Sequence, residues 1–218
     1  MNAVQRFISS ALLNGAMKLL PEGAVLKSGR LSPYFFNSGK YTNGEDTYEL
    51  AMAYARKLHQ VDFDTIYGPP YKGIPLAATV AMMMYHKYRR NVEWSSSRKE
   101  TKDHGEGGLR FGGSLQGRRV IIIDDVITTG DTKREAFNYI ERAGGTVVGV
   151  VIAFDRQETD GESGLTALQL FEKKYDIPVH AAAKLDDLIA VLKKYPNLRG
   201  NTPEMLEKIL AYKAQYGA

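Results

Sequence analysis

The hydrophobic pattern of the chain alternates between short, unbroken apolar runs and longer stretches with helical spacing. Four β-branched residues occupy positions 120–123, a run too short for a helix, which predicts a strand buried on both faces. Further strands are predicted at 63–67, 92–96, 146–153 and 177–182. Helices are predicted at 1–20, 49–60, 76–88, 132–143, 165–175, 185–194 and 203–212. This alternation predicts an α/β fold with a mostly parallel central sheet.

Residues 24–37 predict a short hairpin, because two extended runs are joined by a turn rich in Ser, Gly and Pro. Along a strand, Phe35 and Phe36 point to opposite faces. One ring can therefore fill the core while the other stays available to stack on a planar base. Lys27 lies beside the turn, where a lysine is usually a solvated charge.

The candidate chemistry is concentrated after the strand at 120–123. Asp124 and Asp125 follow it directly, and a loop of Thr, Gly and Asp at 128–132 leads into the next helix. The carboxyl end of a parallel strand is where open α/β sheets bind ligands, and a helix amino terminus suits a phosphate. The acidic pair suits groups that donate hydrogen bonds or develop positive charge. Together these features predict a sugar phosphate as ligand.

A second strand end has similar chemistry. The strand at 63–67 is followed by a loop rich in Gly and Pro at 68–75 and then by a helix. Backbone amides in such a loop can bind a diphosphate, and Lys72 can neutralise its charge. From the residues alone, a turn with an incidental lysine stays open as an alternative.

The segment 98–108 concentrates hydrogen-bond donors and contains almost no apolar residue. Its basic side chains are those of Arg98, Lys99, Lys102 and His104, and its glycines add backbone freedom. Such a segment is expected to be mobile when empty and to be ordered by an anion. A solvated charged loop is the alternative.

Arg156 follows the strand predicted at 146–153. An arginine at this place can be an ordinary surface charge. Its guanidinium is also suited to a bidentate pair with the carboxylate of a ligand.

Composition limits the class of protein. The 218 residues fit one α/β domain over 1–218, with hardly any room for a second catalytic domain. The net charge of +4, from 29 basic and 25 acidic residues, does not predict nucleic-acid binding. The lack of cysteine excludes disulfides and thiolate metal sites and suits a reducing compartment. No run approaches the roughly 18 apolar residues of a membrane span. We therefore expect a cytoplasmic enzyme without a membrane or nucleic-acid partner.

Four common catalytic signatures are missing from the sequence. It contains no GxxxxGK[ST], GxGxxG, HExxH or GxSxG string. This argues against a P-loop kinase, a dinucleotide enzyme, a zincin and an α/β-hydrolase.

Four strings resemble a known family. Residues 120–132 resemble the phosphoribosyl diphosphate-binding motif of type I phosphoribosyltransferases. Residues 27–37, 98–108 and 155–158 resemble segments of the orotate phosphoribosyltransferases, and 98–108 matches RKExKDHGEGG nearly letter for letter. Relatives that use purine bases share the phosphate loop but not this last string. The resemblance implies the type I phosphoribosyltransferase fold, with a small hood built mainly from the amino-terminal segment.

The resemblance also implies a reaction and a set of site residues. The reaction is transfer of ribose 5-phosphate from phosphoribosyl diphosphate to N1 of orotate, giving orotidine 5′-monophosphate and diphosphate in pyrimidine synthesis. The residues implied for phosphoribosyl diphosphate are Lys27, Tyr71, Lys72, Arg98, Lys99, Lys102, His104, Asp124, Asp125, Val126, Ile127, Thr128, Thr129, Gly130, Asp131 and Thr132. Those implied for orotate are Lys27, Phe35, Phe36, Thr128 and Arg156. The catalytic residues implied are Lys102, His104, Asp124 and Asp125.

A metal ion and a second subunit are implied in the same way. Mg²⁺ would be held mainly by the diphosphate oxygens of the substrate, with no protein ligand assigned. The chain would form a homodimer that shares the loop 98–108 between subunits, with Arg98, Lys102 and His104 reaching the neighbour's site.

Two segments depart from the family pattern. The family has Ala where this chain has Pro70, which removes a backbone donor from the loop. The family also usually has TAGTA where this chain has TTGDT at 128–132. Asp131 therefore places a carboxylate where a hydroxyl of the family often contacts phosphate. We expect the Asp131 carboxylate to turn away from the phosphate and to assist the start of the helix.

Two alternatives stay open. One is a phosphoribosyltransferase for another base, which Arg156 argues against because only orotate brings a carboxylate. The other is a non-catalytic regulator that senses phosphoribosyl diphosphate and binds nucleic acid. A regulator would need a concentrated basic patch and would have little reason to keep Asp124, Asp125 and the 98–108 loop.

Overall fold

The computed structural model describes residues 1–102, 108–127 and 131–218, and the side chains of 99–102, 108–110 and 131–133 lie outside this description. Its helices are α1 (Ala3–Asn14), α2 (Gly44–Leu58), α3 (Gly73–Tyr88), α4 (Asp131–Arg142), α5 (Ala167–Tyr175), α6 (Leu185–Lys194) and α7 (Pro203–Tyr216). Its strands are β1 (Met17–Val25), β2 (Leu31–Phe36), β3 (Thr65–Tyr67), β4 (Glu93–Lys102), β5 (Gly108–Gly112), β6 (Arg119–Asp124), β7 (Thr146–Asp155) and β8 (Val179–Lys184). Within the described ranges, no helix is long and apolar enough to cross a membrane.

The central sheet has six strands in the order β5-β4-β3-β6-β7-β8. Strands β4, β3, β6, β7 and β8 are parallel to one another, and β5 at the edge is antiparallel to β4. The predicted mostly parallel sheet is confirmed. Parallel strands bring their carboxyl ends to one edge, so the connections after β3, β6 and β7 meet there.

Strand β6 is buried on both faces, as its apolar run predicts. Its residues 120–123 are all fully buried. Ile121 and Ile123 face a core that contains α1, α2, α3, α6 and α7, whereas Val120 and Ile122 face a core that contains α4 and α5. This alternation follows from the two-residue period of a strand, and it places helices on both faces of the sheet.

A separate antiparallel hairpin of β1 and β2 forms the amino-terminal hood. Residues 26–30 connect the two strands, and the predicted turn is therefore confirmed. Phe36 anchors the hairpin to the main domain, because its ring stacks on that of Phe154 at 5.9 Å between centroids. The hood is thus held over the carboxyl edge of the sheet.

The helix predicted at 1–20 is shorter in the structure. It ends at Asn14, where Gly15 takes a left-handed conformation with φ of 79°. The chain then enters β1, and Met17 pairs with Phe36 across the hairpin. Residues 17–20 form strand and not helix because of this pairing, which local spacing does not reveal.

The segment 98–108, predicted as a loop, is partly strand. Strand β4 continues to Lys102 and the chain returns as β5 from Gly108. Ser97 pairs with Arg110, and the rings of Trp94 and Phe111 lie 5.5 Å apart. The register is irregular between Ser97 and Lys102, and the pairing resumes where Lys102 lies opposite Gly108. Residues 103–107 lie outside the described part of the chain.

Candidate active site

A cavity of about 960 Å³ opens between the hood and the carboxyl ends of β3, β6 and β7. Ten of the residues assigned from the sequence line it. They are Lys27, Phe35, Phe36, Tyr71, Lys72, Asp124, Asp125, Val126, Ile127 and Arg156. Segments that lie up to 129 positions apart in the chain therefore contribute to one site.

The other assigned residues are not part of this described cavity. Arg98 lies on β4, with its guanidinium carbon 5.9 Å from the ring centre of Phe111, and it does not line the cavity. The remaining assigned residues or their side chains lie outside the described residues: Lys99, Lys102, His104, Thr128, Thr129, Gly130, Asp131 and Thr132. The orientation expected for the Asp131 carboxylate lies outside them as well.

The acidic pair is held by its own backbone. The Asp125 N–H donates to Asp124 Oδ1 at 2.8 Å, and the Val126 N–H donates to Asp125 Oδ1 at 3.0 Å. From α2, the buried Tyr54 hydroxyl donates to the Asp124 carbonyl at 2.8 Å, and burial raises the pKa of this phenol well above its usual value. The tyrosine therefore stays protonated and fixes the strand end.

The Asp125 carboxylate also accepts hydrogen bonds from two other segments. Ser38 Oγ donates to Asp125 Oδ2 at 3.2 Å, and Lys72 Nζ donates to the same oxygen at 3.1 Å. Lys72 also donates to Asn37 Oδ1 at 3.1 Å. The carboxylate, the ammonium group and the hydroxyl thus converge at one wall of the cavity.

The loop after β3 depends on a close approach of two glycines. A Cβ atom on Gly68 would lie 1.9 Å from the Gly73 carbonyl oxygen. The loop is bonded to β4, because the Gly68 N–H donates to the Ser95 carbonyl at 2.9 Å and Ser96 Oγ donates to the Gly68 carbonyl at 2.6 Å. The Pro70–Tyr71 peptide bond is cis. This compact loop brings Lys72 to the cavity and starts α3 there.

The side chains of Phe35 and Phe36 differ in exposure, as the alternation along a strand predicts. Phe36 is buried in the core, whereas Phe35 is 42% exposed and lines the cavity. The Phe35 ring is therefore an aromatic surface that a planar ligand can reach from solvent.

Arg156 is almost buried and is bonded within the protein. Its Nε and Nη2 atoms contact Glu158 Oε1 at 2.7 and 2.6 Å, and Nη2 donates to Ser32 Oγ at 2.8 Å. Its guanidinium carbon lies 4.3 Å from the ring centre of Tyr34. Burial alone would lower the pKa of Arg156, but Tyr34 and Glu158 raise it above its ordinary value, so the charge is kept. Nη1 makes no hydrogen bond within the described residues.

The sequence reasoning missed several residues around these groups. Asn37 ends the hairpin string that carries the resemblance and Ser38 directly follows it, so their proximity in sequence was a usable signal. Glu158 ends the DRQE string, and its adjacency to Arg156 was another signal. The Tyr212 hydroxyl donates to Glu158 Oε1 at 2.8 Å from α7, 54 residues away, and no sequence pattern pointed to it.

Comparison with known proteins gives a consistent result. A model of the phosphoribosyl transferase domain matches residues 37–185. An orotate phosphoribosyltransferase of Acinetobacter baumannii is 44% identical over 98% of this chain and 95% of its own length, and one of Nitrosococcus oceani is 46% identical over 88% and 86%. The crystal structure of orotate phosphoribosyltransferase from Francisella tularensis matches with a TM-score of 0.83 at 32% identity, covering 98% of this chain and 100% of that chain. The chain therefore belongs to the orotate phosphoribosyltransferase family, whose members are pentosyltransferases of pyrimidine biosynthesis.

Proposed function

We propose that the cavity is where this chain transfers the 5-phosphoribosyl group from phosphoribosyl diphosphate to N1 of orotate. The observation that carries this assignment is that one cavity contains two chemically different clusters. Asp125 and Lys72 belong to the first cluster. Arg156 and the exposed ring of Phe35, which line the same cavity, belong to the second. The first suits a sugar diphosphate and the second suits a planar base with a carboxylate.

The acidic pair is proposed to bind the ribose and to face its reacting carbon. As diphosphate leaves, the anomeric carbon becomes cationic, and Asp124 and Asp125 stabilise this charge electrostatically without forming a covalent bond. In the structure Lys72 neutralises Asp125. We propose that Lys72 transfers its hydrogen bonds to the incoming diphosphate, which leaves the Asp125 carboxylate to the ribose hydroxyls and the cationic carbon.

Orotate is proposed to bind between Phe35 and Arg156. Its ring would stack on the exposed face of Phe35, and its carboxylate would accept a hydrogen bond from Arg156 Nη1. The bidentate pair expected from the sequence requires two free donors on one edge of the guanidinium. Because Glu158 and Ser32 occupy Nε and Nη2, we propose a contact through Nη1 instead. Lys27 lines the same cavity and adds positive charge for the anionic base.

The 98–108 segment is proposed to act on the site of a second subunit. Strand β5 lies at the edge of the sheet, and Arg98 on the adjacent β4 does not line the cavity of its own chain. Both observations support a homodimer in which Arg98, Lys102 and His104 contact the diphosphate in the neighbouring site. Closure of this segment would exclude water, which competes with orotate for the cationic carbon. A cytoplasmic location and a single domain over 1–218 also stay predictions from the sequence.

Mg²⁺ is proposed as the metal ion of the reaction. The described residues contain no group of three or more acidic, histidine or cysteine side chains that could hold a metal by themselves. This donor set fits an ion that would arrive with the diphosphate, and the carboxylates of Asp124 and Asp125, which line the cavity, would be available to hold it or its water. When bound, Mg²⁺ would neutralise charge on the leaving diphosphate.

A spectroscopic assay tests the proposed function. Orotate absorbance is followed after mixing the protein with orotate, phosphoribosyl diphosphate and Mg²⁺, and we expect the signal to fall as orotidine 5′-monophosphate forms. Arg156→Ala should raise the KM for orotate by about 10-fold or more, because a hydrogen bond to a charged group is lost. Arg142→Ala at the exposed end of α4 is the control and should leave this KM unchanged. An unchanged KM for orotate in Arg156→Ala would contradict the assignment of the base site.

A further inference from the structure

Glu158 connects Arg156 to two distant parts of the chain. Its Oε1 atom accepts hydrogen bonds from Arg156 Nε at 2.7 Å and from the Tyr212 hydroxyl at 2.8 Å, and it lies 2.6 Å from Arg156 Nη2. Its Oε2 atom lies 3.4 Å from Arg30 Nη1. The Glu158 and Arg156 side chains are 13% and 11% exposed. A carboxylate with this many donors has very little freedom to change its position.

We propose that Glu158 is a positioning residue that fixes the Arg156 guanidinium so that its Nη1 atom faces the carboxylate of orotate. This inference rests on the proposed function, in which Arg156 binds that carboxylate. Two edges of the guanidinium are held by Glu158 and Ser32, and one face packs on the Tyr34 ring at 4.3 Å. Rotation about the last side-chain bonds would break several of these contacts, so a single orientation is preorganised.

The backbone between the two residues supports the same arrangement. Gln157 takes a left-handed conformation with φ of 52°, which is uncommon for a residue other than glycine. Its side chain holds the start of α6, because it accepts from the Asp186 N–H at 2.8 Å and donates to Asp186 Oδ2 at 3.0 Å. The turn that places Glu158 against Arg156 is therefore also anchored to α6.

Two effects of removing the Glu158 charge oppose each other. A neutral side chain would leave more net positive charge near orotate, which alone would strengthen binding. However, Glu158→Gln cannot keep all of the contacts, because its amide NH₂ faces a guanidinium in either orientation, that of Arg156 or that of Arg30, and its uncharged oxygen is a weaker acceptor for the other. Removing one partner of a buried ion pair is costly and the remaining group moves to recover solvation. We expect the loss of orientation to be the larger effect.

Steady-state kinetics of the full-length protein tests the proposal. For Glu158→Gln we expect the KM for orotate to rise by about 10-fold, while the KM for phosphoribosyl diphosphate stays unchanged. The preference for orotate over uracil, a pyrimidine without the carboxylate, should fall. Tyr212→Phe removes one donor from Glu158 Oε1 and should raise the KM for orotate by a smaller factor. A purely structural role would lower thermal stability without moving this substrate preference.

Lys208→Ala is the matched control on the same helix. Lys208 Nζ donates to the Pro21 carbonyl at 2.7 Å and so ties α7 to β1 without contacting Glu158 or Asp186. This variant should lower the melting temperature and leave the KM for orotate unchanged. If it raised that KM as much as Glu158→Gln does, loosening of α7 would account for the result and the positioning role would be refuted.

The outcomes separate this inference from the proposed function. An unchanged or lower KM for orotate in Glu158→Gln, together with a raised KM in Arg156→Ala, would overturn the positioning role alone. Unchanged values in both variants would contradict the function assigned to Arg156. If Glu158→Gln did not fold, Tyr212→Phe would decide, because an unchanged preference for orotate over uracil in it would refute the proposal.

Discussion

Lys72 and Asp125 reach the cavity from two different strand ends, and Lys72 Nζ lies 3.1 Å from Asp125 Oδ2. Their side chains are 56% and 16% exposed, so the lysine end of the pair faces solvent. An ion pair in such a place contributes about 0–1 kcal/mol, since water and salt screen it. The lysine can therefore leave Asp125 at little cost when a diphosphate binds.

Lys72→Met should weaken the binding of phosphoribosyl diphosphate without unfolding the protein. The variant loses the charged donor that we propose for the diphosphate, and we expect the KM for this substrate to rise by about 10-fold or more. Thermal unfolding should change little, because the lost ion pair is exposed. Lys87→Met at the exposed end of α3 is the control, and equal KM values for the two variants would contradict the role of Lys72.

Alanine substitutions of Phe35 and Phe36 should affect different properties, substrate binding and stability respectively. Phe35→Ala should raise the KM for orotate by about 10-fold, because stacking of a base on an aromatic ring contributes about 1–3 kcal/mol. Phe36→Ala should lower the free energy of unfolding by about 3–5 kcal/mol, because it leaves a cavity beside Phe154. Urea unfolding and orotate kinetics of both variants distinguish these effects. A stable Phe36→Ala protein would contradict the burial that we describe.

The division between these two rings was predictable from the sequence because strand geometry is local. The same holds for β6, whose four apolar residues identify a strand buried on both faces and place Asp124 and Asp125 at its end. The family strings then identified ten residues that line one cavity. These features depend on short stretches of chain, in which spacing and residue type determine the arrangement.

The features that the sequence did not predict depend on contacts between distant segments. Residues 17–20 form strand because Met17 pairs with Phe36, and Ser97 lies in a strand because it pairs with Arg110. The Tyr212 contact with Glu158 joins the carboxyl-terminal helix to a residue that lines the cavity. Spacing along the chain contains no information on such pairings.

Gly68→Ala should disturb the loop that carries Lys72. The added Cβ atom would lie 1.9 Å from the Gly73 carbonyl oxygen, so the backbone must move. We expect the KM for phosphoribosyl diphosphate to rise by about 10-fold or more, since overpacking of this kind typically costs about 1–3 kcal/mol. Gly44→Ala is the control, because an added Cβ atom there meets no atom within 4 Å. Normal substrate kinetics in Gly68→Ala would show that the close approach of the loop is not required.

Asp64→Asn should remove part of the stability that the protein has at neutral pH. Asp64 Oδ1 lies 2.7 Å from Arg119 Nη2, and Oδ2 accepts from Arg119 Nε and from its backbone N–H at 3.1 and 2.9 Å. These hydrogen bonds lower the pKa of Asp64 from its ordinary 3.8 to about 2. They also join the residue that precedes β3 to the start of β6.

The sign of the pH dependence follows from the direction of this shift. A carboxyl group whose pKa is lower in the folded state stabilises the fold above its unfolded pKa of about 3.9, and the contribution is lost as the pH falls towards about 2. The free energy of unfolding of Asp64→Asn should therefore lie below that of the unsubstituted protein at pH 7 and 5, and the difference should shrink below about pH 4. Urea unfolding at pH 7, 5, 4 and 3 measures it, with Glu207→Gln on the exposed face of α7 as the control. A difference that stayed constant from pH 7 to 3 would mean that Asp64 stabilises the fold by its shape and not by its charge.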